Sequence, residues 1–382
     1  MTTPPQVGWA QADARRIHRQ FLDEPTGAPP AAVAAALLGA HAQVLSAAEL
    51  SVALRTTGAT RAEVRAALWE DRTLVKTYGP RGTVHLLPAA DLPLWTGALS
   101  AIPSGGGQQP PDVRMTAAQT DEVVAAIADA LTGVELTVDE LTDAIVARTG
   151  SWAGDRVMEA FQDKWPRWRQ VTHTAAHRGV LCFGRDRGRK VTYTNPEVRP
   201  QEGTRALGEL VERHLYAYGP ATPQQFAKWL AAPAGWATGL FASLAGDGRI
   251  EEVSFEGGTA WVVAGDTDFP DAPARGVRLL PYFDAFTIAS QPRERLFPGE
   301  AYRRALAGGQ AGNFPVLLVD GDVAGVWHQR RSGKRIAVTV EPLKRLTAAR
   351  LRELEEQAGR VGEVLEGRAE LTVGEVTVGP HA

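Results

Sequence analysis

Three stretches of the chain share one pattern of apolar and polar positions: a capped helix, a second helix, and then two short alternating strands. The first copy is LSAAELSVALRTTGATRAEVRAALWEDRTLVKTYGPRGTVHLL. Ser46 stands at an N-cap position with Glu49 three residues on, the spacing of a capping box, which predicts a helix starting there. Its two strands fall around Gly79 and Gly82. The second copy opens at LTVDELTDAIVARTG, where Thr137 and Glu140 keep the same relation, and closes with HRGVLCFGRDRGRKVTYTN, a hairpin with an Arg/Gly-rich tip. The third opens at GPATPQQFAKWLAA, with Thr222 as cap, Pro223 at the first helical position and Gln225 three after the cap. It ends in two strands joined at Gly257 and Gly258.

Helix, turn, helix and hairpin is the pattern of a winged helix-turn-helix. The chain therefore reads as three tandem units: residues 1–100 with extra N-terminal helices, 101–203 and 204–275. A Gly/Pro-rich connector at 98–113 separates the first two. From residue 276 the pattern changes to the strands VRLLPYFDAFTIAS, FPVLLVDGDVAGVWHQ and KRIAVTVEPL, followed by a charged helix over 347–367 and a last strand, RAELTVG. Residues 276–382 are thus expected to form a β-rich region with one charged helix, and the fold class is α+β.

A length of 382 residues suits several modules. No apolar run is long enough to cross a bilayer, MTTPPQVGWAQADARR lacks the apolar centre of a signal peptide, and the single cysteine, Cys182, has no internal partner. A cytoplasmic protein away from membranes is expected. The net charge of −3 argues against a dedicated nucleic-acid binder, but its distribution argues the other way. Between Lys164 and Lys190 eight bases face a single acid, Asp186, and Arg330, Arg331, Lys334 and Arg335 form a second cluster. Two readings stand: solvated Arg-rich turns, or wing tips whose Arg185, Arg187, Arg189 and Lys190 meet phosphates and position a duplex. Winged helices also serve as protein-interaction modules.

Phosphate-binding glycine loops, a Rossmann fingerprint and a nucleophile elbow are all missing. His173 and His177 have helical spacing for two imidazoles on one face but no third ligand of matching context, so neither a metal nor a cofactor is expected. The remaining candidate is His41-Ala42-Gln43, in the corner between two helices. In a continuous helix these side chains would point about 200° apart. In an extended linker they share a side and can converge on one atom. From spacing alone the alternative stays open: Gln43 caps a helix end and His41 fills a polar gap.

GAHAQVLSAAELSVALR, LVKTYGPRGTVHLLPAADLP, LLPYFDAF and FPVLLVDGDVAGVW together resemble the winged-helix DNA glycosylases of the AlkZ and YcaQ type, a family that excises bulky alkylated purines and unhooks interstrand cross-links. The Arg-Gly-Thr-x-His core is the most specific element. The resemblance implies a C-shaped arrangement of winged helices around duplex DNA carrying an alkylated purine, a monomer, and catalytic side chains in the corner. The family carries Gln-x-Gln or Gln-x-Asp there. Gln43 matches the second Gln, while His41 departs from the first. On this reading Gln43 orients the attacking water through its carbonyl oxygen, assisted by His41. Arg81, Thr83 and His85 line the first wing, with Arg81 near phosphate or lesion, and Asp284 lies close to the site. A purine alkylated at N7 or N3 is already cationic and leaves without an acid, so a neutral amide suffices. No lysine is expected near the motif, so the enzyme would be monofunctional. The rival reading is a non-enzymatic winged-helix regulator.

Overall fold

The computed structural model describes residues 4–103, 109–160 and 163–380. It is a mixed α and β structure. In the first segment the helix Pro30–Ala36 leads to a two-residue strand Ala40–His41, the helices Leu45–Leu54 and Arg61–Trp69, and the strands Leu74–Tyr78 and Val84–Pro88. Val84–Pro88 is the middle strand, with Ala40–His41 on one side and Leu74–Tyr78 on the other. The second segment repeats the scheme. Its helices are Ala117–Ala130, Val138–Thr149 and Thr172–His177, and its sheet runs Leu136–Thr137, Thr192–Thr194, Cys182–Phe183. The third has the helices Gly203–Tyr218, Pro223–Leu230 and Ala234–Gly246 and the hairpin Ile250–Phe255 with Gly258–Val263.

Two of the three expected caps are formed. Thr137 Oγ1 accepts from the Glu140 amide at 3.4 Å while Glu140 accepts from the Thr137 amide at 2.8 Å, and Thr222 and Gln225 do the same at 3.2 and 2.9 Å. The cap at Ser46 is not formed. The helix begins at Leu45 behind Val44, and no side chain caps it. Glu49 is buried and accepts two hydrogen bonds from Arg65 of the next helix, at 2.7 and 3.0 Å. A charged, forked bond to a buried carboxylate outweighs a local cap. The box in this segment sits one helix later, at Thr60 and Glu63.

The C-terminal region is a five-stranded sheet ordered Val277–Leu280, Val316–Val319, Asp322–Ser332, Arg335–Pro342, Arg368–Val373. Only the last pair is parallel, which requires a crossover, and the helix Ala348–Val364 supplies it. That helix buries Leu354, Ala358, Val361 and Val364, so its charges cover one face only. Of VRLLPYFDAFTIAS only the first four residues are strand; Ala285–Ala289 is a short helix capped by Asp284.

Packing crosses the expected boundaries. One core joins Val33, Leu50 and Val64 to Val277, Leu317, Trp327 and Val338 of the C-terminal sheet. The strand Gln6–Val7 pairs with Ile250–Phe255, and from the helix Trp9–Arg19 the buried Arg16 donates to the carbonyls of Gly219, Pro220 and Gln291. Residues 6–19 therefore strap the third segment to the C-terminal sheet, and Gln20 ties the strap back to the first segment, its carbonyl accepting from Arg55 Nε at 3.0 Å. The helix Leu92–Ala101 runs through the start of the expected connector and packs on Gly203–Tyr218, and 104–108 lie outside the described residues. Among the described residues no helix is long and apolar enough to cross a membrane.

Candidate active site

The corner is made by two successive left-handed residues, Leu38 (φ 53°) and Gly39 (φ 93°), which swing the chain from helix into strand. A Cβ at Gly39 would lie 2.6 Å from the Leu87 side chain, so glycine is required by conformation and by space. Ala40 and His41 then pair with Leu86 and His85, and the Ala42 amide donates to the Val84 carbonyl at 2.7 Å. The chain is extended through His41, and the next helix starts at Leu45. Gln43 is exposed and lies on the wall of a cavity of about 620 Å³. Thr83 and Tyr78 come to this wall from the first hairpin, and Arg169, His173 and Phe183 from the second segment.

His41 is not on that wall. It is 8% exposed and packs between His85 (ring centroids 5.0 Å, edge-on) and Phe283 (4.6 Å). Burial, and then the charge of Arg81, push its pKa down to about 4, so the imidazole is neutral at pH 7. Its Nδ1 is buried and has no hydrogen-bond partner among the described residues. The expectation that His41 and Gln43 open onto one groove is therefore corrected. Pairing with His85 turns the His41 ring into the sheet, whereas Gln43, beyond the strand end, faces the cavity.

The other expected site residues divide in the same way. Thr83 lines the cavity and donates its hydroxyl to the Pro80 carbonyl at 3.0 Å. His85 does not face a duplex. It is buried, its Nδ1 donates to the Thr83 carbonyl at 2.9 Å, and burial with His41 and Arg81 holds its pKa well below that of a free imidazole. Arg81 turns inward and donates to the Trp229 carbonyl of the third segment at 2.7 Å. Desolvation, then Arg293, lower its pKa. Asp284 is 1% exposed and pairs with Arg55 through both oxygens at 2.8 Å, with Ser51 at 2.7 Å on one of them. It is a buried structural pair that sets the residue before it, Phe283 (φ 54°), against His41. At the second hairpin Arg187 is paired with Glu140 and Lys190 with Asp139 at 2.9 Å, while Arg185 and Arg189 are exposed with no ion pair among the described residues.

Several cavity residues escaped the sequence. Lys76 stands on the wall with Gln43, contrary to the expectation that no lysine lies near the motif. Its ammonium sits 4.7 Å from the Phe183 ring centroid. Lys76 and Tyr78 alternate on Leu74–Tyr78 and so share a face, but only the pairing of sheets and segments brings that face to Gln43. Trp165 and Arg169, from the basic stretch, complete the wall. His173 reaches the cavity, its ring 5.9 Å from that of His177.

The chain belongs to the AlkZ-like DNA glycosylase family, whose profile matches residues 34–364 and so spans the first segment through the crossover helix of the C-terminal sheet. An interstrand DNA cross-link repair glycosylase of Streptomyces sahachiroi is 32% identical over 338 residues, covering 84% of this chain and 88% of that protein. The solved structure of Streptomyces sahachiroi DNA glycosylase AlkZ matches with a TM-score of 0.82 at 30% identity, over 97% of this chain and 100% of that one.

Proposed function

We propose that the protein is a monofunctional DNA glycosylase hydrolysing the N-glycosidic bond of N7- or N3-alkylated purines in duplex DNA, with bulky adducts and interstrand cross-links among its substrates. The observation that carries this reading is Gln43, an exposed amide held just past the end of a strand on the wall of a large cationic cavity. The three helix–hairpin segments are winged helices on this reading, and they present a concave surface to the duplex. The alkylated base leaves as a neutral purine, so the protein's task is to orient water against the developing oxocarbenium sugar. The Gln43 carbonyl oxygen accepts a hydrogen bond from that water. His41 is neutral and packs between His85 and Phe283, so on this reading it acts by holding the strand end from which Gln43 projects. Lys76 lies over the Phe183 ring with its pKa lowered by desolvation, and on this reading it takes no covalent part, so the product is an abasic site.

Release of base from duplexes carrying N7-methylguanine tests the proposal. Gln43→Ala should lower the single-turnover rate by ~10²-fold or more while DNA affinity holds. His41→Gln, which gives the family's Gln-x-Gln, should keep substantial activity. A fully active Gln43→Ala protein would remove Gln43 from the mechanism, and no release by the wild type would overturn the reading as a whole.

A further inference from the structure

Behind the first hairpin turn two guanidinium groups lie close enough to feel each other's charge, with no carboxylate paired to either. The turn Pro80–Gly82 separates two sides of the molecule. Gly82 and Thr83 border the cavity that holds Gln43, whereas Arg81 leaves the other way, to the Trp229 carbonyl. Ala289 packs into the same core as Leu38, Leu87 and Trp229, which brings the loop that carries Arg293 to that side. After desolvation, the charge of Arg293 is what lowers the pKa of Arg81 most. Arg293 donates to the Ile288 carbonyl at 3.0 Å, and its Nε is buried with no acceptor among the described residues. Both arginines are half-buried and neither has an ion pair among the described residues; Glu294, beside Arg293, is exposed.

In the free protein this arrangement is costly. Two like charges repel in a partly desolvated place, where water and salt screen them less than at the surface. Capping the helix Pro223–Leu230, whose last carbonyls carry partial negative charge, accounts for Arg81 alone. It does not account for Arg293, which binds a carbonyl of its own loop. Nor does it account for the left-handed backbone of Arg81 (φ 62°), a strain that persists where function requires it. Each guanidinium has one neutral carbonyl partner among the described residues, so each keeps donors for an acceptor-only anion. A tetrahedral phosphate held by two such forks would cancel the repulsion.

We infer that Arg293 and Arg81 together grip one phosphodiester of the lesion-bearing strand, adjoining the nucleotide whose base stands at Gln43. The strand crosses the turn Pro80–Gly82, with the lesion on the cavity side and its phosphate on the arginine side. The position of the lesion rests on the glycosylase reading above; the anion site does not. Arg293 thereby becomes a DNA-binding residue outside every hairpin, and the C-terminal region becomes part of the DNA surface.

The test is a cycle of charge removals on both molecules. Wild type, Arg293→Gln and Arg81→Gln are titrated with duplexes whose N7-methylguanine sits on a 2′-fluorinated sugar, so that no base is released. Each phosphate flanking the lesion is replaced in turn by an uncharged methylphosphonate. At one phosphate adjoining the lesion, neutralisation should weaken wild-type binding about tenfold, the size of one charge-assisted contact, and should weaken neither variant further. At the other phosphates all three proteins should lose equally. Without DNA, Arg293→Gln should hold or raise the thermal midpoint, because it removes an unpaired, half-buried charge. Losses that simply add at every phosphate would overturn the inference, and a lowered midpoint beside them would make the two arginines a structural contact. Inorganic phosphate separates the two sources of the anion. A rise in wild-type midpoint beyond that in chloride of equal ionic strength, absent in Arg293→Gln and with no methylphosphonate coupling, would assign the site to the free ion and overturn the claim on DNA. Base release from the natural-sugar duplex reports separately: release without coupling sinks the clamp alone, and coupling without release sinks the glycosylase reading alone.

Discussion

The imidazole at position 41 differs from an ordinary surface histidine in one measurable respect: it resists protonation. A pKa of about 4, imposed by burial and Arg81, removes it as a base that titrates near neutrality. Excision should therefore be flat from about pH 6 to 8, in the wild type and in His41→Gln alike. A wild-type limb near pH 6.5 that disappears in His41→Gln would instead make His41 a general base. The motif itself was legible because it interrupts a helical pattern with two polar side chains, and its extended backbone follows from Gly39 and the capless start at Leu45. The inward turn of His41 was not legible. It depends on strand pairing with His85 and on Phe283, which lies more than two hundred residues away. The buried pairing of Asp284 was not legible for the same reason, because its partner Arg55 comes from a distant helix.

Elements were easiest to read where their signals are local. Thr137 and Thr222 cap helices because the groups they bind lie three residues ahead, within a single turn. Ser46 has the same signature but loses Glu49 to Arg65, sixteen residues on, a competition that no short window contains. The second hairpin shows a similar division among its bases. Arg187 and Lys190 already hold Glu140 and Asp139, whereas Arg185 and Arg189 are free to meet phosphate. Neutralising Arg185 or Arg189 should each lower the slope of log K against log salt by about 0.9, for every DNA sequence alike. Arg187→Gln and Lys190→Gln should change it less, since those cations must first leave a carboxylate. Anisotropy titrations over a salt series measure this. Four equal decrements would refute the division, and four unchanged slopes would take the hairpin off the DNA.

At the scale of the molecule the N-terminal strap matters most, because it closes the third segment onto the C-terminal sheet. Sequence alone left it with the first unit, since two residues of strand and a Gly8-capped helix give no sign of a partner 250 residues away. Its weak point is Asp13, buried against the Gly321 turn with one carboxylate oxygen unpartnered. Burial outweighs the help of Arg16, and with Asp322 nearby its pKa is raised to about 7. Between the ordinary aspartate value of about 3.9 and pH 7 the folded state thus binds a proton that the unfolded chain releases. The stabilisation from that proton is complete below about pH 4 and is lost as pH rises through 7. The buried histidines slope the other way. His41 and His177, lowered to about 4, and His214, lowered to about 3, favour folding fully above pH 6.5 and lose that contribution as pH falls. Asp13→Asn keeps the neutral shape and removes only the titration. Its denaturation midpoint in urea should exceed that of the wild type most above about pH 7, and the gap should shrink as pH drops and close towards 4, while both proteins weaken together as the histidines are protonated. A gap of constant size across this range would mean that Asp13 is ionised in the folded protein as it is in the unfolded chain, so that its pKa is not raised, and the strap would then owe its pH response to another group.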